Sequence, residues 1–367
     1  MTVIPREGHP FQVLFEYLKV IFFIYGFLVS IQLMGAGFRA SGEGLDRLLE
    51  TASNPFIGLV LGIVITSVIQ SSSTTTAIVV GIVSAKPEFI TSAIPIIMGA
   101  NIGTTVTNTI VSFGYAGRKT EFERSFCASI VHDMFNICAA IVLFPLEMYT
   151  GIIYRTATSI EHFFEGMGGL EFISPLSIVL DPVTKPIEHV IGNHILLIVL
   201  SFVMLLFSMS GIVRNMRGIV MQKVEHILNG YLFRNVLISM LFGCLLTALV
   251  QSSSITTSII IPLVGAGVLT IEQIFPYTLG ANIGTTITAF LAALVAVEHR
   301  DAAITIALCH LVFNMLGIFI FYPLKVIPIK TARMIAAFVS KSKKHFLVFL
   351  ITYILLHIIP IVFAHLN

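Results

Sequence analysis

Residues 55–86 read PFIGLVLGIVITSVIQSSSTTTAIVVGIVSAK, and residues 236–267 read VLISMLFGCLLTALVQSSSITTSIIIPLVGAG. Each stretch is about 32 residues long, whereas one upright crossing of the hydrocarbon layer takes about 20 residues and two full crossings about 40. Each also carries a polar cluster, Gln70-Ser71-Ser72-Ser73 or Gln251-Ser252-Ser253-Ser254, almost at its centre. Two half-helices meeting at a polar tip near the midplane of a membrane satisfy both facts, so both stretches are expected to be re-entrant hairpins.

The rest of the chain supports a membrane setting. Of 367 residues, 56% are apolar and only 11% charged, an excess of hydrocarbon that one water-soluble core cannot hide. A soluble enzyme, a nucleic-acid binder and a disordered scaffold are excluded on that ground, and a net charge of +2 argues for no polyanionic partner. Uninterrupted spans are expected at Val20 to Phe38, Ser92 to Phe113, Phe126 to Tyr149, His194 to Val213, Ile274 to Val297, Ala302 to Val326 and Phe346 to Ala364. The first apolar run has no small-residue cleavage pattern and reads as a retained helix rather than a signal peptide. Cys127, Cys138, Cys244 and Cys309 lie in apolar runs without a CxxC pattern and read as small core residues.

Loop charge orients the spans. Residues 325–345 hold Lys325, Lys330, Arg333, Lys341, Lys343 and Lys344 with no acid, and 214–234 hold four basic residues against Glu225, so both are expected in the cytoplasm. The connection 151–192 carries Glu161, Glu165, Glu171, Asp181 and Glu188 against Arg155 and Lys185 and reads as an external loop. If each hairpin returns to the side it left, the N-terminus is cytoplasmic and the C-terminus external.

Self-comparison exposes a duplication. Thr66-x3-Gln70-Ser-Ser-Ser recurs as Thr247-x3-Gln251-Ser-Ser-Ser, and Gly99-Ala-Asn101-Ile-Gly103-Thr104-Thr105 recurs as Gly280-Ala-Asn282-Ile-Gly284-Thr285-Thr286, both offset by 181. His132-x2-Phe135-Asn136 recurs as His310-x2-Phe313-Asn314, offset by 178. The organisation is therefore 1–52, an N-terminal helix and external connection; 53–150, a first repeat; 151–229, an external loop, linking transmembrane helix and cytoplasmic connection; 230–325, a second repeat; and 326–367, a basic cytoplasmic loop and C-terminal helix. The single span between the repeats inverts the second relative to the first. The fold expected is an all-α integral membrane protein of two inverted repeats, each with a re-entrant helical hairpin and broken helices, plus peripheral transmembrane helices.

The chemistry of the recurring groups is neutral. Hydroxyl and carbonyl oxygens suit Na⁺, while amide N–H groups and serine hydroxyls at helix N-termini suit a tetrahedral oxyanion. Without a Lys or Arg in any of these groups, a bound anion would be offset chiefly by bound cations, a physical reason for cotransport. Glycines flanking Asn101 and Asn282 are expected to permit local unwinding. Asp133 is the one acid in the set, with Leu311 in its place in the second repeat, and an acid inside an apolar span is a functional residue by default. His132 and His310 read as helix-packing hydrogen-bonders rather than metal ligands. Within the same architecture a symporter for another small anion, such as arsenate or sulfate, or one driven by H⁺ is the alternative, and a passive channel and an intramembrane phosphohydrolase using serine and histidine are the competing classes; paired serines and the lack of a metal-binding set weigh against the enzyme.

At these residues the chain resembles the type II sodium-phosphate cotransporters. The match is carried by both Gln-Ser-Ser-Ser blocks, both Gly-Ala-Asn-Ile-Gly-Thr-Thr blocks, Thr120 to Arg124 leading to His132-Asp133-Met134-Phe135-Asn136, Phe144 to Glu147, and Asn314 through Tyr322-Pro323. The resemblance implies a secondary transporter, not an enzyme, that moves inorganic phosphate inward with co-transported Na⁺ by alternating access. It also implies residence in the lipid bilayer of a plasma membrane, with homodimers typical of the family. Phosphate contacts are expected from Ser71, Ser72, Ser73, Ser252, Ser253 and Ser254. Sodium contacts are expected from Gln70, Asn101, Thr104, Thr105, Asp133, Asn136, Gln251, Asn282, Thr285 and Thr286, with Na⁺ the only metal and no nucleic-acid partner. An Asp at the place of Asp133 implies electrogenic coupling. The short outer connection and short C-terminal segment point to a bacterial member in an inner membrane. The threading is checked by a reporter fused after Asn367, expected outside; a cytoplasmic reporter breaks it.

Overall fold

The computed structural model describes residues 10–42, 46, 49–50, 52–104, 106–115, 117–166, 175–227, 233 and 235–352, which contain helices and no β-strand. Six helical segments among them are long and apolar enough to cross a membrane. They fall where apolar runs of about 20 residues predict them: α1 (Pro10–Ala40), α4 with α5 (Ile90–Gly103, Val106–Phe113), α6 (Lys119–Thr150), α9 (His194–Ile227), α13 (Ile271–Leu294) and α14 (Arg300–Phe321). Most of the expected last span, up to Ala364, lies outside the described residues. Cys127 and Cys309 are buried, Cys138 and Cys244 half-buried, and all four are unbridged.

Both hairpins are formed, and from the first cap to the tip their backbones match residue by residue. Asn54 starts the first by accepting hydrogen bonds from the Phe56 and Ile57 amides; Asn235, 181 residues on, does the same for Leu237 and Ile238. The ascending limbs α2 (Pro55–Ile69) and α10 (Val236–Val250) have 15 residues each, or about 22 Å, too short to cross alone. Each ends at a glutamine in the left-handed region, Gln70 at φ 58° and Gln251 at φ 58°. Each glutamine amide closes on a threonine carbonyl, Thr66 or Thr247, at 2.7 Å. Extended Ser71 and Ser252 then cap the descending limbs through their hydroxyls. The first descending limb, α3 (Ser72–Ala85), is continuous; the second splits into α11 (Ser253–Ser258) and α12 (Ile261–Gly265). Pro262 explains the split, since it lacks the amide for a helical bond and its ring crowds the carbonyl four residues back.

The repeated glycines serve packing, and in the second repeat this corrects the expectation of unwinding. In the second repeat Gly280 to Thr288 lies within unbroken α13, whereas in the first α4 ends at Gly103 with Thr104 as its cap and α5 begins at Val106. A Cβ at Gly99 would stand 1.9 Å from the Leu59 carbonyl oxygen, and at Gly280 1.9 Å from that of Met240. Gly62 and Gly103 face backbone in the same way, as do their counterparts Gly243 and Gly284. The ascending limb of each hairpin thus lies backbone to backbone on the helix carrying the Gly-Ala-Asn-Ile-Gly segment, an approach only small residues allow.

Three segments read as loops are helical. Amphipathic α7 (Ile152–Gly166) and α8 (Pro175–Ile191) fill the 151–192 connection, and α15 (Val326–Val339) lies in the basic 325–345 segment. Gly151, at φ 64°, ends α6, and the buried Glu147 carboxylate accepts the Ile153 amide at 2.6 Å and the Tyr154 amide at 3.3 Å, satisfying the start of α7. Polar contacts sort the segment ends into two groups. Arg333 pairs with Glu272 at 2.5 Å and Ser340 donates to Glu123 at 3.1 Å. In the other group Arg39 meets Glu298 at 3.7 Å, Lys86 meets Asp46 at 2.8 Å, and Thr305 donates to Glu161.

Gly99→Ala and Gly280→Ala are each expected to cost several kcal/mol and to abolish folded yield in detergent, above the roughly 1–3 kcal/mol of ordinary overpacking, because the colliding atom is backbone. Gly117→Ala, with open space around the added carbon, should leave the yield of monodisperse protein unchanged.

Candidate functional site

The two hairpin tips meet at one cavity. It has a volume of about 230 Å³, and Gln70, Ser71 and Thr74 of the first hairpin line it together with Ser252, Ser254 and Ile255 of the second. Helix α9 adds Leu206, Met209, Ser210 and Val213 to its wall, and no charged residue is in the lining. Ser72, Ser73, Ser253 and Ser254 are buried. Each hairpin is clasped just behind its tip by paired threonine hydroxyls, Thr66 with Thr75 at 2.9 Å and Thr247 with Thr256 at 2.7 Å. The recurrence of Thr66 and Thr247 ahead of the glutamines was the signal for this clasp in the sequence.

The glutamines differ. Gln70 is exposed, whereas Gln251 is 8% exposed, donates to the Ala248 carbonyl and accepts from the Thr288 hydroxyl at 2.5 Å. Gln251 therefore braces its tip. The hydroxyls of Thr104, Thr285 and Thr286 donate back to the Ala100, Asn282 and Ile283 carbonyls. Thr105 lies outside the described residues.

Behind the cavity the two repeats are joined through their asparagines and histidines. His132 of the first repeat donates through Nε2 to Asn282 Oδ1 of the second, and His310 of the second donates to Asn101 Oδ1 of the first at 3.4 Å. Asn282 Nδ2 donates to Asn136 Oδ1 at 2.7 Å, and Asn136 Nδ2 reaches the Asn101 carbonyl at 2.8 Å. One connected chain thus runs through α6, α13, α4 and α14. All five residues are at most 2% exposed. The pairing follows from helix geometry, because His132 and Asn136 stand one turn apart on α6 and both face Asn282. Asp133, buried at 3%, sits between them in sequence. The second repeat's own Asn314 instead donates to the His310 carbonyl at 3.1 Å, so the histidine–asparagine pair recurs in both repeats while the Asn136 links do not. The histidines are helix-packing hydrogen-bonders, as their sequence context indicates.

An all-helical, many-spanning membrane protein in which two polar hairpin tips share an uncharged cavity is the class these features define. The chain belongs to the Na⁺/Pi-cotransporter family, whose model matches residues 27–171 and 204–340. It is 34% identical to sodium-dependent phosphate transport protein 2A of Ovis aries, over 88% of this chain and 63% of the relative. It is 32% identical to the Rattus norvegicus 2A protein, over 91% and 65%, and 30% identical to the Homo sapiens 2B protein, over 88% and 61%. The chain spans less than two thirds of the length of these curated relatives. No solved structure matches it.

A double-mutant cycle of His132→Ala and Asn282→Ala, read by thermal unfolding in detergent, is expected to give a coupling of roughly 0.5–1.7 kcal/mol, the span seen for hydrogen bonds between membrane helices. The longer His310 to Asn101 contact should couple more weakly. Equal couplings, or none for the first pair, would contradict the network.

Proposed function

We propose that this chain is a secondary transporter that carries inorganic phosphate inward with Na⁺ by alternating access. The observation that carries the reading is the shared cavity, where hydroxyls from both tips converge without one basic side chain. A phosphate there would meet Ser71, Ser252 and Ser254, with the amides at the start of α3 behind Ser71 and the hydroxyls of Ser72, Ser73 and Ser253 close by. Its charge would be left for cations to offset. That is the physical root of the coupling: each ion completes the other's site. The names of the relatives, which are sodium-dependent phosphate transport proteins, support the same assignment.

The sodium ligands proposed are drawn from Gln70, Gln251, Asn101, Thr104, Thr105, Asp133, Asn136, Asn282, Thr285 and Thr286. Asp133 would add a negative charge to one sodium site and make transport electrogenic, because an acid inside the membrane is best stabilised by a cation. The chain would sit in a plasma membrane, a bacterial inner membrane, as a homodimer, its N-terminus cytoplasmic and its C-terminus external. The inverted relation of residues 53–150 and 230–325 would supply the two alternating states. Hydrolysis of a phosphoester fits less well, since Nε2 of both buried histidines is committed to an asparagine rather than to a serine.

Proteoliposomes are expected to take up radiolabelled phosphate under an inward Na⁺ gradient and to stop when choline replaces Na⁺; equal uptake in choline ends the proposal. Excess sulfate should compete poorly. In Asp133→Gly, the net charge carried per phosphate should fall by one with uptake retained.

A further inference from the structure

The two hairpins share a backbone plan but are held differently. From outside the second hairpin's clasp, three contacts reach its descending limb. Ser254 Oγ donates to the Thr104 carbonyl at 3.0 Å, Asn108 Nδ2 donates to Thr257 Oγ1 at 2.8 Å, and the Tyr277 hydroxyl donates to the Thr256 carbonyl at 2.8 Å. The last follows from the break at Pro262. The Ile260 amide turns to the Thr257 carbonyl, leaving the Thr256 carbonyl for Tyr277.

The offset of 181 identifies what the first hairpin has in the same places. Asn108 corresponds to Ala289 and Tyr277 to Ile96, neither able to hydrogen-bond through its side chain. Ser73, the counterpart of Ser254, makes no side-chain hydrogen bond among the described residues. Thr76, the counterpart of Thr257, is 0% exposed with its hydroxyl unpartnered. A buried hydroxyl without a partner raises the energy of the docked arrangement, whereas the equivalent group in the second hairpin is satisfied twice, by Asn108 and by the Ser253 carbonyl at 2.7 Å. The tips show the consequence: Gln70 is exposed at the cavity, and Gln251 is buried and bonded to Thr288.

We propose that the first hairpin is the moving gate and the second a fixed wall, with Asn108 and Tyr277 as the positioning residues that pin it. The inference rests on the transport reading for its purpose, but its physical content is a difference in mobility that exists without any ligand. The unpaired Thr76 hydroxyl gains a water partner when the first hairpin lifts. Lifting the second would break three bonds at once.

Val68 and Leu249 occupy the same place in the two ascending limbs, two residues before the glutamines, and are 78% and 55% exposed. In a Cys138→Ala, Cys244→Ala background, nitroxide labels at Val68→Cys or Leu249→Cys, each paired with Phe319→Cys on α14, report hairpin position by electron–electron resonance distances. Ligand-free protein in nanodiscs is expected to give a broad or two-population distribution for the first hairpin and one narrow population for the second. Asn108→Ala should split the second hairpin's distribution and leave the first unchanged. Thr257→Val and Tyr277→Phe, which preserve volume, should do the same where Asn108→Ala folds poorly. A second hairpin as broad as the first in the parent chain, or unmoved by all three substitutions, overturns the proposal. Phosphate uptake measured on the same preparations separates the two claims: uptake without splitting removes the pin, and splitting without uptake removes the transport reading while leaving the pin standing.

Discussion

Backbone that stops being helical inside hydrocarbon must find every hydrogen-bond partner within the protein, and the rest of this structure is arranged around that demand. Each hairpin brings two helix ends to the same buried point. The left-handed glutamine turns its amide back to a threonine carbonyl, the next serine caps the descending limb, and the threonine clasp holds the limbs together. Glycine-mediated contact of each ascending limb with α4 or α13 then seats the tip in protein. The capping serines Ser71 and Ser252 themselves line the shared cavity, together with Ser254.

The spans and hairpins were legible in the sequence because hydrophobic length and a centred polar cluster admit few arrangements. Duplication raised the signal further, since a chance serine cluster does not recur beside the same threonine and glutamine. The role of the glycines was not legible: a glycine that unwinds a helix and one that lets two helices touch look alike until the distance to the neighbouring carbonyl is known. Counting loop charge took 151–192 and 325–345 as connections, although their alternation of apolar and polar residues at helical spacing was present to be read. Which asparagine each histidine would choose was set by helix packing and could not come from spacing alone.

The differences between the repeats are as informative as their likeness. Asp133 opposes Leu311, Asn108 opposes Ala289, Tyr277 opposes Ile96 and Pro262 opposes Gly81. These four positions account for the interrupted limb, the extra bonds to the second hairpin and the one acid beside the recurring motifs. Paired features build the scaffold, and unpaired ones distinguish its two sides. The asparagine network shows the same division, with Asn136 bridging the repeats while Asn314 turns back to its own helix.

The left-handed glutamines have a consequence for how this protein would respond to selection for robustness. A residue with a Cβ in that conformation gives up roughly 1–2 kcal/mol relative to glycine, and it does so at Gln70 and again at Gln251. Glycine would relax the turn at both places, so a screen that rewarded thermal stability alone would drift toward it, at Gln70 most readily because that carboxamide is not held in the interior. The two tips would then be calmer in shape and poorer in chemistry, having lost the carboxamides that stand beside the serines.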